Sequence, residues 1–280
     1  MILEKLFSRK WWKTTLLVLV AVAVMIRLGI WQLARLEQRR DFNNRVAAQV
    51  AEDPLDLSGQ AIESDLYSME YRSVIVHGEY DFNRQVVLRN QDWQGRLGVH
   101  LLTPLRIDGG ESVILVDRGW IPYEDFTSGK LKLYDVPGRT QIEGVIRRSQ
   151  SKPAIGGRAD LVPGPGESPL MAWNWINISD IAQQLPYPLL PVYVSALPGN
   201  GSQQLPYRSN LELDLSEGPH LGYAFQWFIF AAILGLGYPV YIRREETRQA
   251  SSRVQNEPYI QPGNIHDSIS EPDSKGYKQV

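Results

Sequence analysis

The 280-residue chain has no cysteine, which excludes disulfide scaffolds, thiolate metal sites and thiol catalysis together. It has no excess of either charge. Its 29 Lys and Arg stand against 31 Asp and Glu, so there is no electrostatic footprint for nucleic acid. Soft ligands are scarce too. His77 and His100 could hold copper, but with no thiolate and with methionines scattered at 1, 25, 69 and 171, a Cu(I) site lacks its donor set. Also absent are Gly-x-Ser-x-Gly, His-Glu-x-x-His, a phosphate loop and Gly-x-Gly-x-x-Gly, and with them the expectation of a hydrolase or dinucleotide enzyme. A non-enzymatic role is expected. No internal repeat is evident.

What the chain does have is two concentrated apolar runs. Thr14 to Trp31 is 18 residues, interrupted only by Arg27. At the helical rise this is about 27 Å, enough for a hydrocarbon core of about 30 Å when flanking side chains snorkel. Trp11, Trp12 and Trp31 stand where interfacial aromatics belong. Leu221 to Ile242 is 22 residues with Gln226 as its only strongly polar member, about 33 Å long. Lys5, Arg9, Lys10 and Lys13 precede the first run, and Arg35, Arg39, Arg40 and Arg45 follow it, which leaves its orientation tied. The second run breaks the tie. Residues 201–220 carry only Arg208 against Glu212, Asp214 and Glu217, whereas Arg243, Arg244, Arg248 and Arg253 follow the run, so the C-terminus is expected to be cytoplasmic. Two spans then place the N-terminus inside as well. The competing reading is a cleaved signal peptide ending near Ala21-Val22-Ala23, but cleavage there would leave ten mostly apolar residues exposed.

Between the runs the texture changes. Residues 35–51 read as a polar helix continuing out of the first span and ended by Asp53-Pro54. Strands are expected over 71–80, 85–90, 99–107, 113–117 and 140–147, with Asp108-Gly109-Gly110 as the best single hairpin. Residues 152–169 are too rich in Pro and Gly for regular structure. A strand over 171–178, a short helix over 179–184 capped by Ser179 or Asp180, and a last strand over 189–195 follow. Residues 251–280 read as a disordered tail. The expected fold is therefore an α+β membrane protein: two transmembrane helices flanking a β-rich, mainly antiparallel extracytoplasmic domain. Its parts are a cytoplasmic N-terminus (1–13), spans at 14–33 and 221–242, the outer domain (34–220) and a cytoplasmic tail (243–280).

Three groups of residues could carry function. His220 follows Gly218-Pro219 at the outer end of the second span, where the helix N-terminus disfavours imidazolium and leaves a lone pair for a metal. His220, Ala224, Trp227 and Ala231 share one face that could accept a flat apolar ligand; equally, Ala231 and Gly235 form a small-x-x-x-small pair for helix packing, and His220 could face headgroups. Arg27, Trp31 and Arg35, at i, i+4 and i+8, form a cationic stripe that would meet a lipid phosphate or a haem propionate. Arg89, Asp117, Arg118 and Trp120 stand at or beside strand ends, as partner-binding residues or as internal pairs with Gly119 supplying a bulge.

One family shares this arrangement. Gly29-x-Trp31-Gln32-x-x-Arg35, Tyr71-Arg72, Gly78-x-Tyr80-Asp81, Leu88-Arg89-Asn90, Thr103-Pro104-Leu105 and Val116-Asp117-Arg118-Gly119-Trp120-Ile121-Pro122 occur in this order, and the segment from His220 to Phe228 completes them. Over residues 27–244 the chain resembles the surfeit locus protein 1 family of cytochrome c oxidase assembly factors. The resemblance implies a membrane hairpin in the bacterial inner membrane with a periplasmic domain. It also implies a role in helping haem a reach oxidase subunit I, alongside other assembly factors and membrane lipids. The histidine implicated in haem a binding corresponds to His220, with Trp227 bounding the macrocycle and Arg27 or Arg35 meeting the propionates. The chain departs from the family pattern at Gln38-Arg39, where members often carry Trp-Lys, and at Gly218-Pro219, where they carry Asn-Asn. The alternative is a scaffold that holds oxidase subunits through the β-domain without contacting haem.

Overall fold

A computed structural model describes residues 2–58, 64–150, 160–164, 166–199 and 204–255. The chain divides into two compact units, Met1–Arg35 with Pro219–Val280, and Leu36–Gly218.

The first unit is a pair of antiparallel helices. They are the beginning of α2 (Trp12–Ala51) and α5 (His220–Gln255), with the short α1 (Ile2–Leu6) before them. Both long helices are apolar and long enough to cross a membrane, by length and composition. Most of their large side chains point outward: Leu17, Leu16 and Ile233 are more than half exposed, while the buried positions among the described residues of the pair are Thr15, Gly29, Ala224, Ala231 and Ile242. Contacts pair the helices in steps that rise along α2 as they fall along α5. The Trp11 and Tyr241 rings meet edge-on at 6.2 Å, and the Thr15 hydroxyl lies 2.9 Å from that of Tyr238. Gly235 faces Val22, and Gly29 faces Phe228 so closely that a Cβ at Gly29 would meet the ring at 2.7 Å. Small residues let the backbones approach, the usual device where no water drives helix association. The expected continuation of the first span holds, since α2 is one 40-residue helix. α5 also runs on, through Pro239 to Gln255, so residues 251–255 of the expected tail are helical; residues 256–280 lie outside the described residues.

The second unit is a sheet domain. Its strands are β1 (Leu55–Asp56), β2 (Ser73–Tyr80), β3 (Val86–Trp93), β4 (Arg96–Ile107), β5 (Val113–Pro122), β6 (Arg139–Arg148), β7 (Ala172–Trp173) and β8 (Val192–Ala196), with short helices α3 (Tyr123–Thr127) and α4 (Ile178–Ala182). The order is β1-β2-β6-β8-β5-β4-β3-β7, and an additional β2–β4 pairing closes β2, β6, β8, β5 and β4 into a ring. Closure removes exposed edges. The ring encloses a core that includes Val74, Val76, Leu105, Ile114, Val116, Ile142, Ile146 and Val194. Gly78 and Gly144 permit it: a Cβ on Gly78 would sit 2.1 Å from the Arg106 carbonyl oxygen, and one on Gly144 would sit 2.3 Å from Val194 Cγ1. A second cluster, with Leu102, Leu115, Trp173 and Ile181, lies under α4 and the chain around it.

The sheet is mixed, which corrects the expectation of a mainly antiparallel one. β1–β2, β3–β7 and β5–β8 are parallel pairs. Sequence shows hairpins, because a tight turn such as Asp108-Gly109-Gly110 forces antiparallel neighbours. It does not show that β8, after a long crossover, returns alongside β5 in the same direction. Two further differences are local. Of the expected strand 171–178 only Ala172–Trp173 pairs, and α4 is capped by the Asn177 carboxamide, which accepts from the Asp180 N–H, rather than by Ser179 or Asp180. Of the expected loop, residues 152–159 and 165 lie outside the described residues and the remainder is irregular.

Candidate functional site

In the helix pair, the left-handed Gly218 (φ +69°) and then Pro219 lead into α5, and the Pro219 carbonyl accepts the Tyr223 N–H at 3.1 Å. His220 is therefore the first residue of the helix, as its sequence position implies. Its ring is half-buried, with Nδ1 2.9 Å from Gln32 Oε1. Sequence periodicity leaves open which way the α5 face turns. In the structure Ala224 and Ala231 are buried, at 1% and 6% exposure, and serve helix packing. The other stripe descending from His220 carries Tyr223, Trp227 and Phe230, with the Trp227 and Phe230 rings edge-on at 6.3 Å and Tyr223 about half exposed. Two open apolar grooves of about 480 and 420 Å³ flank the pair, one including Met25, Phe230 and Tyr238, the other Val22, Phe228 and Gly235. Arg27 and Arg35 are exposed on α2, and the Arg35 guanidinium lies 5.7 Å from the Trp31 ring between them.

The sheet domain places the other candidates differently. Asp117, Arg118 and Trp120 lie within β5, not at its end, and all three are buried. Leu101 opposes two residues of β5 there, and Gly119 takes the left-handed φ of +114° that this bulge requires. The bulge turns the side chains of Asp117, Arg118 and Trp120 to separate sets of partners. Asp117 accepts the Gly119 N–H at 3.0 Å and meets His100 Nδ1 at 2.9 Å. Burial opposes a charged His100, but the Asp117 charge and hydrogen bond prevail and hold its pKa above the ordinary value. Arg118 donates to Gln85 Oε1 at 3.0 Å and to the Tyr134 carbonyl, and its guanidinium lies 4.9 Å from both the Tyr80 and Phe82 rings. Burial pushes the Tyr80 hydroxyl up to about 12, against the opposing pull of Arg118. Trp120 stacks on Tyr207 at 5.9 Å and donates to the Gln91 carbonyl. Arg89 alone of the four is partly open, 3.8 Å from Asp160.

The sequence reading missed Gln32 as the partner of His220. A carboxamide inside a largely apolar run was its signal, but spacing within one helix does not reveal a partner 188 residues away.

The SURF1 family profile matches residues 19–232, which include most of α2, the first part of α5 with His220, and the whole sheet. The chain belongs to the SURF1 family. Among its SURF1-family relatives, a SURF1-like protein of Monosiga brevicollis is 26% identical over 82% of this chain and 88% of its own length. A SURF1-like protein of Rickettsia felis is 27% identical over 82% of this chain and 97% of its own length. The Surfeit locus protein 1 of Xenopus tropicalis is 24% identical, covering 82% of this chain and 76% of its own length.

Proposed function

We propose that this SURF1-family chain is an assembly factor for cytochrome c oxidase that carries haem a towards oxidase subunit I. In this reading it sits in the bacterial inner membrane as a helix hairpin with both termini cytoplasmic and the sheet domain periplasmic. Family membership supports the link to the oxidase, and the outward-facing apolar side chains of α2 and α5 support the membrane placement. The observation that carries the haem reading is the histidine at the start of α5, whose Nδ1 lies 2.9 Å from Gln32 Oε1, so that Nε2 would be the nitrogen to take a ligand.

The residues fit the ligand end of a haem site. A lone imidazole fixed by a hydrogen bond on its second nitrogen is a common axial donor. Tyr223, Trp227 and Phe230 would bound the macrocycle, because Ala224 and Ala231 are turned inward. Arg27 and Arg35 supply cations on exposed positions of α2 for propionates, or for lipid phosphates when no cargo is held. The chain holds and releases the cargo without altering the porphyrin. Asp117, Arg118 and Trp120 contribute by holding the sheet domain together, and Arg89 is the member of that group open to a partner.

The test is the haem-to-protein ratio of the full chain purified from cells that make haem a. A haem spectrum that is lost in His220→Ala is expected; a haem-free wild type, or a ratio unchanged by the substitution, would contradict the reading.

A further inference from the structure

The contact on His220 decides which ring nitrogen can bind anything. Nδ1 lies 2.9 Å from the carboxamide oxygen of Gln32. That oxygen only accepts, so the ring donates through Nδ1–H, and a neutral ring then keeps its lone pair on Nε2. With the carboxamide turned the other way its NH₂ would donate to Nδ1, Nε2 would retain its hydrogen, and the ring would have no lone pair to offer. The contact therefore selects a tautomer. Its geometry is set by the neighbouring packing. Gln32 is one turn beyond Gly29, and Phe228 is two turns beyond His220, so the close approach of Gly29 to the Phe228 ring fixes the helix separation on the same face.

We infer that Gln32 is a positioning residue for His220: it holds Nδ1–H and so presents Nε2, with its lone pair, as the ligating atom. The inference deepens the haem reading of His220 and rests on it for its purpose, but the tautomer itself is measurable without haem.

The experiment is ¹⁵N NMR of the histidine-labelled full chain in lipid nanodiscs, with the His220 signals assigned by their loss in His220→Asn. The wild type is expected to show a protonated Nδ1 and an unprotonated Nε2. Gln32→Glu keeps that pattern, because a carboxylate also accepts. Gln32→Leu moves the hydrogen to Nε2 in most molecules and weakens binding of added iron porphyrin by about tenfold or more, the usual consequence of losing a ligand's supporting hydrogen bond. Far-UV circular dichroism checks that the variants remain helical, and if Gln32→Leu does not fold, the unbranched Gln32→Met, which also lacks the carboxamide acceptor, reads the same shift. A wild-type ring with its hydrogen on Nε2, or a foldable acceptor-deleted variant with the wild-type pattern, would overturn the inference. The expected tautomers with no porphyrin binding in any chain would support the Gln32 assignment and refute the haem reading alone.

Discussion

The helix pair and the sheet domain are built inside out with respect to each other. In the sheet domain the largest buried side chains are Trp120, Trp173 and Arg118, and most of the buried polar atoms find partners: Thr103 and Arg118 share Gln85, and Asp117 takes His100 and a backbone N–H, while Arg118 Nε has none. In the helix pair most of the bulk is outside, and the buried positions among the described residues are Thr15, Gly29, Ala224 and Ala231, with Ile242 as the one large apolar side chain. Filling the interior stabilises the first in water, where apolar burial is the driving force. A thin interior suits the second to the lipid surroundings proposed for it, where close backbone approach and hydrogen bonds such as Thr15–Tyr238 would take over.

The sharpest way to break this comparison is to truncate in each unit. Trp120→Ala removes a fully buried ring stacked on Tyr207 and is expected to cost about 3–5 kcal/mol, read as a lowered denaturation midpoint of the sheet domain in the full chain. Leu17→Ala, at a position 68% exposed, is expected to leave the midpoint in nanodiscs unchanged. The opposite change tests the helix pair. Gly29→Val drives a side chain into the Phe228 ring and is expected to cost about 1–3 kcal/mol, with partial recovery in the double variant Gly29→Val/Phe228→Ala. Cross-linking through Val22→Cys and Gly235→Cys, in a chain otherwise free of cysteine, reports whether the helices remain together.

Smaller effects separate buried from exposed charge. His100 has a folded pKa raised above its ordinary value of about 6.5. Its pairing with Asp117 therefore stabilises the domain fully below about pH 6.5, and the gain is lost as pH rises through the folded pKa. A decline in melting temperature on the order of 2 °C over that window, abolished in His100→Gln, is expected. The Arg40–Glu217 pair is bidentate at 2.8 Å but half-exposed on both sides, so Arg40→Glu is expected to leave melting unchanged within error.

What the sequence made legible follows from range. The strands around Asp108-Gly109-Gly110 and the presence of both apolar helices come from local pattern, and the structure contains them, though α5 runs past the expected end at 242 to Gln255. Ring closure by β2–β4 and the parallel β5–β8 pair depend on distant segments, so they left no local trace. The position of His220 was legible because Pro219 marks a first helical turn, whereas the inward turn of Ala224 and Ala231 was not, since a period of 3.6 gives the faces without saying which one another helix covers. Arg118 stood open to either role because arginine is almost never fully buried unless paired, and here two aromatic rings and two carbonyl-type oxygens stand in for a carboxylate.

The central proposal is that the helix pair spans a membrane, with the sheet domain on the side away from the cytoplasm. Cysteines placed singly at Ser179, exposed in the sheet domain, and at Ser251, near the end of α5, test it with a membrane-impermeant maleimide on intact spheroplasts. The account expects Ser179→Cys to be labelled at once and Ser251→Cys only after permeabilisation. Labelling of Ser251→Cys from outside, or of both only after permeabilisation, would contradict it.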